Sequence, residues 1–168
     1  RLVYITSVNL LISKAQSYQI NKFVKSLVDV CEMQNTKFIA YSLSRIPNKY
    51  NKYFQFIRIK ISNNRLINNY LMLFYLLKNN CIKKSDTLFS RDLLILFIFA
   101  LQGKETIFEY HHPGLFLHSF ILKIFNLLPN TRVATISYAL KKHLVKTNFR
   151  YSKEILVLPS AVDLAKFS

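Results

Sequence analysis

Short runs of β-branched and aromatic residues alternate with stretches of helical length along most of this chain, and that alternation is the tightest constraint on its fold. Leu2-Val3-Tyr4-Ile5 reads as a buried first strand, followed by a polar turn through Ser13-Lys14-Ala15-Gln16-Ser17. Ile20, Phe23, Val24, Leu27, Val28 and Cys31 then recur at the spacing of one helix face, with Asn21, Lys22, Lys25, Ser26 and Asp29 opposite. Lys37 to Tyr41 reads as a second strand, Ser44 to Lys52 as a loop, and Phe54 to Ile61 as a strand covered on one face. A helix is expected over Arg65 to Lys78, with Leu66, Ile67, Tyr70, Leu71, Phe74 and Leu77 facing inward and Asn79-Asn80 ending it.

The second half repeats the pattern. Thr87 to Phe89 reads as a strand, with Ser90 as helix N-cap and Asp92 in the first helical turn, where its charge complements the helix dipole. The helix from Leu93 to Gln102 is apolar nearly all round, which requires burial on several sides, and Gly103 stands at its end. Thr106 to His111 reads as a strand, and Pro113 opens a helix carrying Leu115 to Leu128. Arg132 to Ile136 (strand), Ser137 to Lys146 (helix) and Ile155 to Leu158 (strand) complete the series. Such a series favours parallel strands joined by right-handed crossovers, so the expected fold is α/β, a doubly wound, Rossmann-like parallel sheet. With 168 residues, 51% of them hydrophobic and only two Gly, residues 1–168 are expected to form one domain with a core of its own.

The 24 Lys+Arg against 8 Asp+Glu leave a formal charge of +16. Basic residues are scattered, with only Lys83-Lys84 and Lys141-Lys142 adjacent, so no stripe marks a nucleic-acid site and no nucleic-acid partner is expected. The plain reading is a solvated basic surface in a chain of AT-rich coding character. Aromatic residues accompany the Lys, however, which makes an anionic membrane surface a second reading. Cys31 and Cys81 lie 50 positions apart, with neither zinc-site nor redox-motif spacing, and read as small hydrophobes of a reducing, cytoplasmic compartment. The longest apolar run, Leu93 to Leu101, is too short to span a bilayer.

Gly103 and Gly114 form neither a dinucleotide-binding Gly-x-Gly-x-x-Gly nor a P-loop, and the Gly-x-Ser-x-Gly of the Ser hydrolases is missing as well. The one dense cluster of titratable groups is Glu109-Tyr110-His111-His112-Pro113, at the carboxyl end of a strand, where parallel sheets gather ligands. Strand alternation puts Glu109 and His111 on one face and Tyr110 and His112 on the other, so the two His do not share a metal and none is expected. Arg91, directly after a strand, either pairs with Glu109 across neighbouring strand ends or holds an anionic ligand.

Three segments resemble a known family. Ser90-Arg91-Asp92-Leu93 followed by Gly103-Lys104-Glu105-Thr106-Ile107-Phe108-Glu109-Tyr110-His111-His112-Pro113 is similar to a stretch of the N-terminal domain of family-4 glycosyltransferases of the GT-B fold, in which a Ser-Arg pair precedes a strand ending in Glu-x-His. Val133 to Lys141 resembles that family's strand, Ser and short amphipathic helix. Ile155-Leu156-Val157-Leu158-Pro159-Ser160-Ala161-Val162-Asp163 with Phe167 resembles the run that closes its N-terminal domain, with Ala161 where the family has Gly. The order and spacing agree over nearly the whole chain.

The resemblance implies the N-terminal, acceptor-side half of a retaining, metal-independent glycosyltransferase that moves a sugar from a nucleotide-sugar donor to a glycan or lipid-linked glycan. It places His111 beside the transferred sugar as the catalytic residue, with Ser13, Gln16, Arg91, Glu109, His112 and Ser137 around substrate, His112 replacing the family's usual Asp. It implies no cofactor or metal beyond the donor itself. It also implies that the donor-holding C-terminal domain lies outside these residues, as a necessary partner without which the chain transfers nothing. A peripheral position on the inner face of the membrane fits a lipid-linked acceptor. The alternative is a Rossmann-like module that binds an anionic ligand or partner without catalysis.

Overall fold

The computed structural model describes residues 1–7, 14–43, 53–57, 62–111, 116–147 and 155–158. In chain order these form β1 (Leu2–Thr6), α1 (Lys14–Met33), β2 (Phe38–Ser42), β3 (Phe54–Phe56), α2 (Arg65–Lys78), β4 (Thr87–Ser90), α3 (Leu93–Leu101), β5 (Glu105–Tyr110), α4 (Phe116–Leu127), β6 (Thr131–Thr135), α5 (Tyr138–Thr147) and β7 (Leu156–Val157). The strands make one sheet of order β3-β2-β1-β4-β5-β6-β7, and every pairing is parallel. The chain is an α/β protein with a doubly wound, Rossmann-like sheet. Strand order reverses between β1 and β4, and at such a switch point the flanking loops part and leave a crevice at the carboxyl ends of the strands.

Alternation along the strands divides the core in two. Tyr4, Phe38, Ala40 and Phe89 point to the face covered by α1, where they meet Ile20, Val24, Val28 and Cys31. Val3, Ile5, Leu88, Phe108 and Val133 point to the opposite face, against Met72 and Leu76 of α2, Leu96 and Phe99 of α3, Leu122 and Phe125 of α4 and Leu144 of α5. α3 is the centre of that layer, packed on β4, β5, α2 and α4. Its nearly continuous apolar sequence is therefore explained by burial on several sides at once. Cys31 and Cys81 are both free thiols.

Three expectations are corrected. Lys14 to Ser17 belong to the first turns of α1 rather than to a polar turn, which lengthens that helix to 20 residues. Ser90 ends β4 and does not cap α3; Asp92 occupies the cap position and makes no side-chain bond to the helix, because its carboxylate is taken up elsewhere. On α2 the inward residues are Asn68, Asn69, Met72 and Leu76, while Leu66, Ile67, Tyr70, Phe74 and Leu77 are exposed and Leu71 is half-buried. The inward placement of two Asn is stable because both amides have partners. Asn68 accepts from the Ser62 amide and donates to the Ser62 carbonyl, each at 2.9 Å, and Asn69 contacts the Ser7 hydroxyl. The expected strand to Ile61 is seen as Phe54–Phe56, and residues 58–61 and the loop at 44–52 lie outside the described residues, as does the helix start at Pro113.

α1, α2 and α3 end alike. The amides of Asn35, Asn80 and Gly103 reach back to Glu32, Leu77 and Ala100, and those of Thr36, Cys81 and Lys104 reach to Cys31, Leu76 and Phe99. This is the paired bonding of the Schellman motif, which requires a left-handed residue at its centre. Asn35 (φ 50°), Asn80 (φ 48°) and Gly103 (φ 76°) supply it, so a Gly-poor chain fills two of the three positions with Asn, the residue next best suited to that region.

Candidate functional site

Because all strands are parallel, the segments after β1, β4, β5 and β6 converge on one edge of the sheet. At the switch point the first group is a structural lock. Asp92 is buried, and its Oδ2 accepts from the backbone N–H (2.9 Å) and the hydroxyl (2.8 Å) of Ser7, just after β1. Its Oδ1 accepts from Nε (3.2 Å) and Nη2 (2.8 Å) of Arg65 at the start of α2. Ser90 Oγ donates to the Ile5 carbonyl at 2.7 Å and accepts from the Asp92 amide at 3.0 Å. One carboxylate thus ties β1, β4, α2 and α3 together, with both oxygens consumed.

One strand further along, the arrangement is different. The register pairs Phe89 with Ile107 and Ser90 with Phe108, so Arg91, just past β4, points to the same face as Glu109 on β5. The guanidinium grips the carboxylate with both arms, Nε to Oε2 at 3.0 Å and Nη2 to Oε1 at 3.2 Å. Two residues on, and on the same face, His111 Nε2 lies 2.6 Å from Glu109 Oε1. Glu109 is 3% exposed, Arg91 16% and His111 21%, so the chain of contacts runs from the interior to the surface.

Electrostatics fix the roles within this group. Burial pushes the Glu109 carboxyl pKa up, but hydrogen bonds from His111 and Arg91, with the attraction of both, outweigh burial and hold it below the ordinary carboxylate range. An ionised carboxylate only accepts, so His111 Nε2 carries the proton and donates. In the neutral ring that leaves Nδ1 as the acceptor. This is the orientation by a carboxylate that prepares a His to accept a proton or a hydrogen bond from a substrate hydroxyl. Beneath the group lies Tyr4, fully buried against Phe23 and Phe89, whose hydroxyl makes no hydrogen bond among the described residues; burial raises its pKa far enough to keep the phenol neutral.

Of the residues singled out from sequence, the structure brings together Arg91, Glu109 and His111. Arg91 is committed to Glu109, so it holds no anion unless that grip is released. Ser137 lies at the same sheet edge, after β6, and its Oγ accepts from the Leu140 amide at 3.2 Å as the N-cap of α5. Gln16 is in the first turn of α1, with its side chain outside the described residues, as are Ser13 and His112 entirely. Sequence reasoning missed the roles of Ser7, Asn69 and Tyr4, and gave Asp92 the wrong one. Ser7 and Asp92 are 85 positions apart, and only the pairing of β1 with β4 makes them neighbours.

Among the described residues no three or more His, Cys, Asp or Glu are grouped to hold a metal ion. No helix among them is long and apolar enough to cross a membrane. No protein-family model, curated protein or solved structure matches this chain.

Proposed function

We propose that this chain is the acceptor-side domain of a retaining GT-B glycosyltransferase, with His111 beside the sugar that is transferred from a nucleotide-sugar donor to a glycan or lipid-linked glycan. The observation that carries the reading is the Arg91–Glu109–His111 relay at the carboxyl end of β5, in the segment whose Ser-Arg and Glu-x-His residues resemble that family.

In this reading Arg91 and Glu109 are positioning groups. Arg91 fixes the carboxylate, Glu109 fixes the ring and its tautomer, and His111 Nδ1 accepts a hydrogen bond from a sugar hydroxyl at the mouth of the crevice. The catalytic gain is electrostatic and geometric, because the ring is held before substrate arrives and need not reorganise as charge develops. Charge on the departing nucleotide diphosphate is met by groups of a second, donor-holding domain, and a metal is not required for that.

The test is expression of the open reading frame containing this chain, followed by measurement of nucleotide release from UDP- and GDP-sugars. Donor turnover that falls about a hundredfold or more in His111→Ala, with an unchanged circular dichroism spectrum, is expected. No release from any such donor, or release indifferent to His111, overturns the reading. In that event saturable binding of a sugar phosphate to the chain, weakened by Arg91→Ala, would leave the non-catalytic module standing.

A further inference from the structure

The largest departure from the sequence reading is the orientation of α2, and it leaves an unpartnered surface. Leu66 (60%), Ile67 (47%), Tyr70 (61%), Phe74 (64%) and Leu77 (38%) lie at spacings of one, three, four and three residues and form a continuous exposed stripe along the outer side of the helix. Single exposed apolar residues are ordinary, but a contiguous stripe of five on one helix is the mark of an interaction surface. The same helix layer carries more. α3 packs against both α2 and α4, and α4 exposes Phe120 (53%) and Leu127 (65%), seven residues apart on one face.

Charge decides what this surface meets. α2 contains no acidic residue. From residue 62 to 127 the carboxylates of Asp86, Asp92 and Glu109 are buried and already paired with Arg1, Arg65 and Arg91. Beyond those pairs, the charged groups exposed on the described residues of that stretch are Lys78, Lys83, Lys84 and Lys123 against Glu105 alone. Lys78 lies over the Phe74 ring at 5.9 Å, so its ammonium group borders the apolar stripe itself. A second copy of this chain, itself at a formal +16, would bring like charges together there. A bilayer rich in acidic headgroups offers the complement: hydrocarbon for the stripe and negative charge for its Lys border.

We infer that the exposed face of α2, extended by Phe120 and Leu127 of α4, is a docking surface for anionic lipid bilayers, on which the domain lies without spanning. Tyr70 and Phe74 enter the headgroup and acyl boundary, and Lys78, Lys83, Lys84 and Lys123 stay at the phosphate level. The inference does not depend on the glycosyltransferase reading, and its test contains no donor or acceptor.

The test is co-sedimentation of the chain with vesicles of equimolar phosphatidylglycerol and phosphatidylcholine, and with vesicles of phosphatidylcholine alone. Binding is expected to the anionic vesicles only and to weaken as salt is raised. The triple variant Ile67→Ser, Tyr70→Ser, Phe74→Ser should lose at least about tenfold in vesicle affinity, since three exposed apolar side chains are removed from the buried contact. Its thermal melt is expected to match that of the parent, because none of the three lies in the core; the single variant Phe74→Ser serves should the triple fail to fold. Failure to bind anionic vesicles, or equal binding by parent and a folded variant, overturns the inference. So does a concentration-dependent dimer without lipid that the same substitutions abolish, which would assign the stripe to a second copy.

Discussion

The two edges of the sheet are built from similar parts and end in different states. At the amino edge, Asp86 is buried, gripped by Arg1 through Nε and Nη2 and bonded by the Lys83 amide, and Arg1 Nη2 also donates to the Cys81 carbonyl. α1, α2 and α3 close there with paired bonds around a left-handed residue, and the Asn130 amide covers the carbonyls of Ala100 and Lys104. At the carboxyl edge Glu109 is also gripped by an arginine, yet its second partner is a partly exposed imidazole. A buried Arg–carboxylate pair is therefore no sign of a site by itself. What separates the two is whether the last member of the chain is taken up by the protein's own backbone or is a side chain left partly exposed.

Removing each carboxylate tests this difference with the largest effect. Glu109→Ala and Asp86→Ala each leave a guanidinium without its partner in a largely buried position, and each should cost about 3 kcal/mol in urea unfolding. His111→Ala, which trims a partly exposed ring, should cost under about 1 kcal/mol. The edges then divide on function. If the proposed glycosyltransferase reading holds, folded Asp86→Ala should retain nucleotide release, whereas Glu109→Ala should lose it together with His111→Ala, because the ring has lost its orienting group. Equal losses of release at both edges would mean that release follows stability alone and that the carboxyl edge is not special.

The different legibility of these features in sequence has physical causes. Strands and helices announce themselves by period, and the Glu109–His111 contact follows from a two-residue step on a strand. The pairing of Arg91 with Glu109 is readable as one of two options, because consecutive parallel strands put their carboxyl ends side by side. The inward face of α2 is not readable from apolar spacing. Two apolar arcs compete on that helix, and the buried one begins with Asn68 and Asn69, whose burial is compensated by Ser62 and Ser7. Period alone weighs side chains as apolar or polar and cannot see that a polar one has a partner. The role of Asp92 is hidden for the same reason, since a helix-capping Asp and an Asp shared by Ser7 and Arg65 look identical until β1 lies beside β4.

Acid should act at both edges, with a smaller effect than the substitutions. The carboxyl groups of Glu109 and Asp86 are both held below their ordinary range, although burial pushes each up, because bonds from His111 and Arg91 at the first and from Arg1 and the Lys83 amide at the second outweigh it. A carboxyl whose folded pKa is depressed adds stability that is complete above its unfolded value, about 4.3 for Glu and 3.9 for Asp, and fades as pH falls through the folded value. Urea midpoints should accordingly be level at neutral pH and fall below about pH 4. Glu109→Gln and Asp86→Asn should each flatten that fall, and the double substitution should flatten it further. At the carboxyl edge the flattening has a second reading, because the amide introduced by Glu109→Gln still accepts from His111 but carries no charge to fix its tautomer. Restoration of release by Gln where Ala abolishes it would then show that orientation, rather than the charge of Glu109, is what His111 requires. An acid limb identical in parent and variants would remove both carboxylates from the account of stability.

The smallest effects are expected at the helix ends of the amino edge, and they sharpen the claim that this edge is closed by backbone geometry. Apart from Gly103 itself and its two chain neighbours, no heavy atom lies within 4 Å of the position that a Cβ there would occupy, so Gly103→Ala meets no clash and bears only the cost of its φ of 76°. That cost is about 1 kcal/mol. Asn80 holds the same conformation at φ 48° and already bears part of the penalty, so Asn80→Gly should stabilise by a few tenths of a kcal/mol. Opposite signs for two substitutions at equivalent positions are a strict requirement, read as shifts in urea midpoint with an unchanged slope. Two shifts of the same sign would show that side-chain contacts, and not the left-handed turn, hold these ends closed. If the proposed glycosyltransferase reading holds, both variants should also keep nucleotide release, since neither lies at the edge that carries His111.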